Sequence, residues 1–129
     1  MKSAKFVQAL VFCSGTLFAG GLAQAGSIST PAIFQGGGNQ IVCIATNATG
    51  APITVTVRIF GVLGDTTDTC TIDPNDPGGC QVFRNNDAGF CRITVAALSN
   101  AQVAQQVRGV LFSRKTTSPF TVESIVQAQ

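Results

Sequence analysis

The stretch Ile53-Thr54-Val55-Thr56-Val57-Arg58-Ile59 alternates strictly between β-branched apolar residues and polar residues. Successive side chains of a strand point to opposite faces, so the alternation predicts a half-buried β-strand. Its four apolar residues then face a core, while the two threonines and Arg58 face outward. Gly61, Gly64 and Asp65 follow and are typical of the turn that ends a strand. The stretch therefore predicts a sheet with one core face.

Six further β-rich runs lie on either side of this strand. They are residues 40–46, 69–72, 81–84, 90–96, 106–114 and 120–127, separated by clusters of Asn, Asp, Gly and Pro. Residues 99–104 are expected to form a single helical turn, with Ser99 or Asn100 as its N-cap. Seven short strands without a long helix predict an all-β fold, an antiparallel immunoglobulin-like sandwich of about seven strands. A small closed barrel is the alternative.

Residues 1–25 have the pattern of a signal peptide that is removed on export. Lys2 and Lys5 form a positive start, residues 6–22 are largely apolar, and Ala23-Gln24-Ala25 fits the rule for cleavage after small residues. A membrane anchor is the alternative, but glycines and polar residues interrupt the apolar stretch, and a spanning helix needs about 20 predominantly apolar residues. No membrane span is expected after cleavage. The remaining chain is expected to divide into a flexible N-terminal arm, 26–40, and one β-sandwich domain, 41–129.

Four cysteines remain once the signal peptide and its single cysteine are removed: Cys43, Cys70, Cys80 and Cys91. An even number in an exported chain predicts two disulfides. Cys43 and Cys91 each share a face of a predicted strand with apolar residues two positions away, so both lie on core faces, where a bridge can join two sheets. Cys70 and Cys80 flank a Pro- and Gly-rich turn, residues 73–79. We therefore pair Cys43 with Cys91 and Cys70 with Cys80. A zinc site is excluded because the chain has no Cys-x-x-Cys and no histidine.

Composition excludes several classes of function. The full sequence has 8 Lys and Arg and 6 Asp and Glu, and removal of Lys2 and Lys5 leaves six residues of each sign. A neutral chain lacks the clustered cations that nucleic-acid binding requires. The sequence contains no His, Tyr or Trp, so the usual general base and the commonest metal ligand are both missing. We therefore predict that the protein is not an enzyme and has no catalytic residue, cofactor or metal.

Three polar patterns each have two interpretations. Asp73 and Asp76 lie three residues apart, as in some calcium loops, but two carboxylates among prolines and glycines are also what a β-turn requires. Asn47-Ala48-Thr49 matches the N-glycosylation triplet, which occurs often by chance. Arg58 and Arg92, if they share an outer sheet face, are placed to contact an anionic partner, although arginines more often keep such a face soluble.

The two terminal segments also have open alternatives. The C-terminal run, 120–127, either closes its own sheet or forms an exposed edge that pairs with another chain. The segment 28–34 of the predicted arm is a candidate for a donated strand, although Pro31 restricts it to an edge. Self-association is therefore an open alternative.

The segments 42–47 and 89–95, together with the Thr- and Val-rich strand through Arg58, resemble a group of small exported bacterial β-sandwich proteins of uncharacterised function. The resemblance covers about the last 90 residues and implies an immunoglobulin-like sandwich with a Cys43–Cys91 bridge, and no activity, cofactor or site. The chain is more weakly similar to chaperone-usher pilin subunits, which are completed by a neighbour's N-terminal strand. It departs from their pattern at 126–129, which lacks an aromatic residue.

The functional prediction is accordingly an exported, non-enzymatic β-sandwich. We expect a binding or envelope-associated module, periplasmic or secreted, with an unknown protein or envelope partner. The alternative is a pilin-like structural subunit that assembles by strand exchange.

Overall fold

The structure, a computed structural model, describes residues 25–34, 38–117 and 121–129. Residues 1–24 of the predicted signal peptide and residues 35–37 of the predicted arm lie outside this part of the chain. The described residues form β1 (Gly26–Ser29), β2 (Asn39–Asn47), β3 (Ile53–Gly61), β4 (Gly64–Ile72), β5 (Cys80–Asn85), β6 (Gly89–Val95), α1 (Asn100–Gln106), β7 (Val107–Lys115) and β8 (Val122–Gln127). The predicted all-β class is confirmed.

The strands form two antiparallel four-stranded sheets. Sheet A has the order β1-β6-β3-β4, and sheet B has the order β5-β2-β7-β8. Buried residues from both sheets form one core between them. The predicted antiparallel sandwich is therefore confirmed, with eight strands rather than seven.

The alternation of apolar and polar residues in β3 produces the predicted alternation of buried and exposed side chains. Val55, Val57 and Ile59 are fully buried, whereas Arg58 between them is exposed. β6 follows the same rule, with Cys91 and Ile93 buried and outward residues between them. Burial of such side chains contributes about 1.5–3 kcal/mol each, so the registers that keep them inside are strongly favoured.

Both predicted disulfides are present. Cys43 of β2 and Cys91 of β6 are fully buried and join sheet B to sheet A across the core, which is the position of the inter-sheet bridge in immunoglobulin-like sandwiches. Cys70 of β4 and Cys80 of β5 join the edge strands of the two sheets. The assignment from strand periodicity and from the turn between Cys70 and Cys80 is thus confirmed.

The edges of the two sheets meet along two seams. Along the first, between β4 and β5, the Cys70–Cys80 bridge is joined by Arg84, whose Nη1 donates to Thr66 Oγ1 at 3.1 Å. Along the second, the N–H of Ser29 donates to the carbonyl of Gln129, and the N–H of Gln129 donates to the carbonyl of Ser29, both at 3.1 Å. We call these the disulfide seam and the terminal seam. Each covers part of an edge that otherwise invites pairing with other chains.

The expectation of a flexible arm over 26–40 needs correction for its described residues. Gly26–Ser29 pairs with β6 as β1, and Ile33 forms a bridge with Gly89. Ile28 and Ile33 are buried at 4% and 5% exposure, and Thr30 Oγ1 accepts the N–H of Cys91 at 2.9 Å. The segment is ordered because it covers the free edge of β6, which lies far away in sequence.

Among the predicted elements, β4 differs most in extent from the prediction. β4 begins at Gly64 instead of residue 69, because an exposed edge strand lacks the apolar alternation by which strands are recognised. The helical turn predicted over 99–104 is α1, whose N-cap is Ser99 in a capping box with Gln102. With seven residues, α1 is too short to cross a membrane, and no other helix occurs in the described residues.

Candidate functional site

The outer face of sheet A is rich in hydroxyl and cationic groups. Its outward positions on β3, β4, β6 and β1 form cross-strand rows that contain Thr54, Thr56, Thr67, Thr69, Thr71, Thr94, Ser27, Ser29, Arg58 and Arg92. Neighbouring threonine hydroxyls bond each other, as Thr56 and Thr69 do at 3.0 Å. These hydroxyls therefore stabilise the sheet locally. The two arginines carry positive charge, so they need a hydrogen-bonding or anionic partner more than the hydroxyls do.

Arg58 and Arg92 lie directly opposite each other in the register of β3 and β6, and Phe60 and Phe90 form the next outward pair. The two rings are stacked, with centroids 4.8 Å apart. Both guanidinium groups lie against Phe60, with Cζ 4.3 Å from the ring centroid for Arg58 and 5.0 Å for Arg92. We call these four residues the arginine–phenylalanine cluster.

The charges of this cluster are compensated unequally. The guanidinium of Arg58 forms a salt bridge with Asp65 of β4, whereas Arg92 has no carboxylate within salt-bridge distance in the described part of the chain. Like charges directly opposite each other destabilise a sheet. The contact with Phe60 offsets part of this cost by about 0.5–1 kcal/mol at an exposed site. The second arginine therefore remains available for an anion.

A groove of about 460 Å³ lies on the same sheet face, beside the turn that follows β6. Thr54, Thr56 and Thr94 line it together with Pro52 and the segment 96–98. On β3 the lining of the groove ends at Thr56. The guanidinium groups of the cluster lie over Phe60, four residues further along the same strand. The groove and the cluster are therefore separate features.

Asp73 and Asp76, the acidic candidates of the 73–79 turn, hold that turn through hydrogen bonds. Asp76 Oδ1 accepts the N–H of Gly78 at 2.8 Å, and the N–H of Asp76 donates to the carbonyl of Asp73 at 3.2 Å. These are the bonds of a turn, as the alternative interpretation had it. Three residues with potential metal-ligand atoms do lie together, Asp68, Cys70 and Cys80, but the disulfide between the two cysteines removes both thiolates as ligands.

Asn47 of the glycosylation triplet acts as a structural residue. Its Nδ2 donates to the carbonyls of Ala51 at 2.7 Å and Ile72 at 3.0 Å, and its Oδ1 accepts the N–H of Thr49 at 2.8 Å. The side chain is buried at 9% exposure. A glycan on Nδ2 would have to displace these bonds, so the structure favours the turn over the modification.

Asp87 is a buried carboxylate that the sequence did not single out. Its oxygens accept N–H groups of Leu63 at 3.2 Å and Ala88 at 2.8 Å, and Arg84 Nε at 3.1 Å. Burial alone raises the pKa, but these hydrogen bonds and the positive charge of Arg84 outweigh it and hold the pKa of Asp87 below its ordinary value. The group ties the β3–β4 turn to the β5–β6 turn and lies away from both sheet faces.

The arginine–phenylalanine cluster is thus the most distinctive surface chemistry on sheet A. The sequence predicted the two arginines as candidates on a shared face, and the register confirms that they share it. Phe60 contacts both guanidinium groups because the pairing of β3 with β6 brings it beside Arg92 and Phe90. The alternation within one strand does not predict that pairing. No family model, curated protein or solved structure matches the chain.

Proposed function

We propose that this chain is an exported, non-enzymatic binding module, periplasmic or secreted, that recognises anionic groups through the arginine–phenylalanine cluster. The observation that carries the proposal is the direct opposition of Arg58 and Arg92, of which only Arg58 has a carboxylate partner in the described residues. Two disulfides support an oxidising compartment, because such bridges are rare in the cytosol.

The cluster suits carboxylate, sulfate or phosphate groups displayed on an envelope polymer. A guanidinium binds such groups through two parallel N–H···O bonds, and contact with an aromatic ring holds its plane in place. An anion between Arg58 and Arg92 also removes the repulsion between them. The flat outer face of sheet A is open to an extended ligand, and its rows of hydroxyl groups border the cluster.

We expect the variants Arg58→Gln and Arg92→Gln each to bind an anionic polysaccharide at least about ten-fold more weakly, because a charge-assisted hydrogen bond contributes about 1.5–3 kcal/mol. Heparin, which carries sulfate and carboxylate groups, serves as the probe in titration calorimetry at two salt concentrations. The loss should be larger for Arg92→Gln, since Arg58 is partly neutralised by Asp65.

Arg108→Gln is the matched control. It removes the same charge from the outer face of sheet B, where Arg108 donates to the carbonyls of Ala104 and Gln105. An equal loss of heparin binding in all three variants would mean that net charge alone attracts the probe. No binding of heparin or inorganic polyphosphate by the unmodified chain would refute the proposal.

A strand-exchanging structural subunit is the second candidate. The observation that favours it is the place of β1, which pairs with β6 of sheet A and also contacts the end of the chain at the terminal seam. Such a strand completes the edge of sheet A, and a neighbouring copy is able to supply the same segment without any new contact.

Cysteine trapping separates the two candidates. Ser27 and Thr94 are paired in the β1–β6 register, so the variant Ser27→Cys/Thr94→Cys is expected to form a bridge within one chain and to run as a monomer on a non-reducing gel. Ser27→Cys alone and Thr94→Cys alone are the controls. A ladder of bridged chains that appears only in the double variant would establish strand exchange and withdraw the self-contained module.

A further inference from the structure

The outer face of sheet B is apolar where that of sheet A is polar. One cross-strand row runs through all four strands and consists of Phe83, Val42, Phe112 and Ile125. Ile44 and Val110 form the next row, and Val122 lies on the other side. Antiparallel sheets usually carry polar residues on a solvated face. On this apolar face, which we call face B, Val42 within the row is itself buried at 2% exposure, and the exposed apolar side chains are Phe83, Ile125 and Val122.

From face B we infer that the chain forms a two-fold symmetric dimer in which the outer faces of two copies of sheet B pack against each other. Phe83 and Ile125 project from the ends of the row with 55% and 62% exposure. An apolar face of this extent marks a site of association, and a second copy offers a surface of the same chemistry.

The charges around face B also fit a second copy. Arg108 donates to the carbonyls of Ala104 and Gln105, and Arg114 donates to Gln40 Oε1 at 2.6 and 2.8 Å. Both arginines lie in the rows that flank the apolar rows. A second copy therefore covers the apolar rows while these charges stay at the rim in contact with water, where no desolvation penalty arises.

The apolar row matches itself under two-fold symmetry. A two-fold axis parallel to the strands brings the β5 side of one copy over the β8 side of the other and preserves position along the strands. Phe83 at the β5 end of the row then lies over the Ile125 end of the same row in the second copy, and Val42 lies over Phe112. A recess of about 310 Å³, lined in part by Val110, lies one row further along.

The area agrees with a weak dimer. Four strands about 4.8 Å apart, each about 20–30 Å long, give a face of roughly 400–600 Å² in projection. Specific interfaces bury about 800 Å² per partner, and weak ones less. The dimer is therefore expected to form at micromolar or higher concentrations of the chain and to dissociate on dilution.

Sedimentation equilibrium of the chain under oxidising conditions, over a hundred-fold range of concentration, tests the inference. We expect the average mass to rise toward twice that of the monomer. Phe83→Ser removes the projecting ring and Val110→Lys places a charge in the neighbouring apolar row, and each should weaken dimerisation at least ten-fold. Val62→Ser is the matched control, because Val62 is 77% exposed in the β3–β4 turn, away from face B.

A monomer at all concentrations would overturn the inference, and so would a dimer that Phe83→Ser and Val110→Lys leave unchanged. Ile125→Ser provides a third variant on the opposite end of the row should either substitution disturb folding, which circular dichroism reports. Since face B and the arginine–phenylalanine cluster lie on opposite sides of the sandwich, heparin binding by Phe83→Ser should equal that of the unmodified chain. The two proposals are therefore tested separately.

Discussion

Replacing Cys43 and Cys91 together by alanine is expected to lower the free energy of unfolding by about 4 kcal/mol. The bridge closes a loop with a sequence separation of 48 residues, and in the loop-entropy model its loss frees that loop in the unfolded chain. Both sulfur atoms are fully buried between the sheets, so the substitution also leaves a small cavity that adds to the cost. Since domains of this size have 5–15 kcal/mol of stability, the variant should be close to unfolding.

Urea denaturation provides the measurement, and the second bridge provides the control. Removal of Cys70 and Cys80 opens a loop with a separation of 10 residues and is expected to cost about 3 kcal/mol. Cys80 is fully buried but Cys70 is only partly buried, so the added cavity cost is smaller than for the core pair. A larger loss from this second pair than from Cys43 and Cys91 would contradict our account of the core bridge.

The substitution Asp87→Ala is expected to lower the free energy of unfolding by about 2–4 kcal/mol. It leaves the N–H groups of Leu63 and Ala88 without their acceptor and removes the carboxylate partner of Arg84. Asp87→Asn keeps the shape but not the charge and should cost less. Asp68→Asn is the control, because Asp68 is exposed and its carboxylate accepts the N–H of its neighbour Thr69; it should change stability by less than about 0.5 kcal/mol.

The contribution of Asp87 should depend on pH in one direction. Its pKa is lowered in the folded protein, below the value of about 3.9 expected in the unfolded chain. The unfolded chain therefore binds the proton more readily, and stability rises with pH through this range. The contribution is complete above the unfolded pKa and is lost as the pH falls through the folded pKa. The stability difference between the unmodified chain and Asp87→Asn should accordingly shrink below about pH 5, and a difference that stays constant down to pH 2 would contradict the assignment.

Features that depend on residues close together in the chain were predictable from the sequence. The alternation in 53–59 and 90–96 predicted β3 and β6 and their core faces, and the cysteines on those faces and beside the 73–79 turn predicted both bridges. The N-cap at Ser99 is equally local. Each of these depends on a side-chain period or a turn that the chain carries by itself.

Features that depend on distant partners were not predictable. β1 has little periodicity of its own and is a strand because β6 offers it an edge. The first half of β4 is polar because both its edge position and its outward face tolerate polar residues. In the sequence Asp87 is an ordinary turn residue. Its structural role depends on the β3–β4 turn, which lies beside it only in the folded chain. The apolar residues of face B lie in four separate runs, and only the registers of sheet B bring them into one row.

The terminal seam has a consequence for the order of folding. Ser29, near the start of the described chain, exchanges two backbone hydrogen bonds with Gln129, its last residue, and β1 must also find β6 more than 60 residues away. Contacts of such long range make folding slow, in the range of milliseconds to seconds. The terminal seam cannot form before residue 129 has been synthesised, so β1 lacks this contact while the residues that precede it are made.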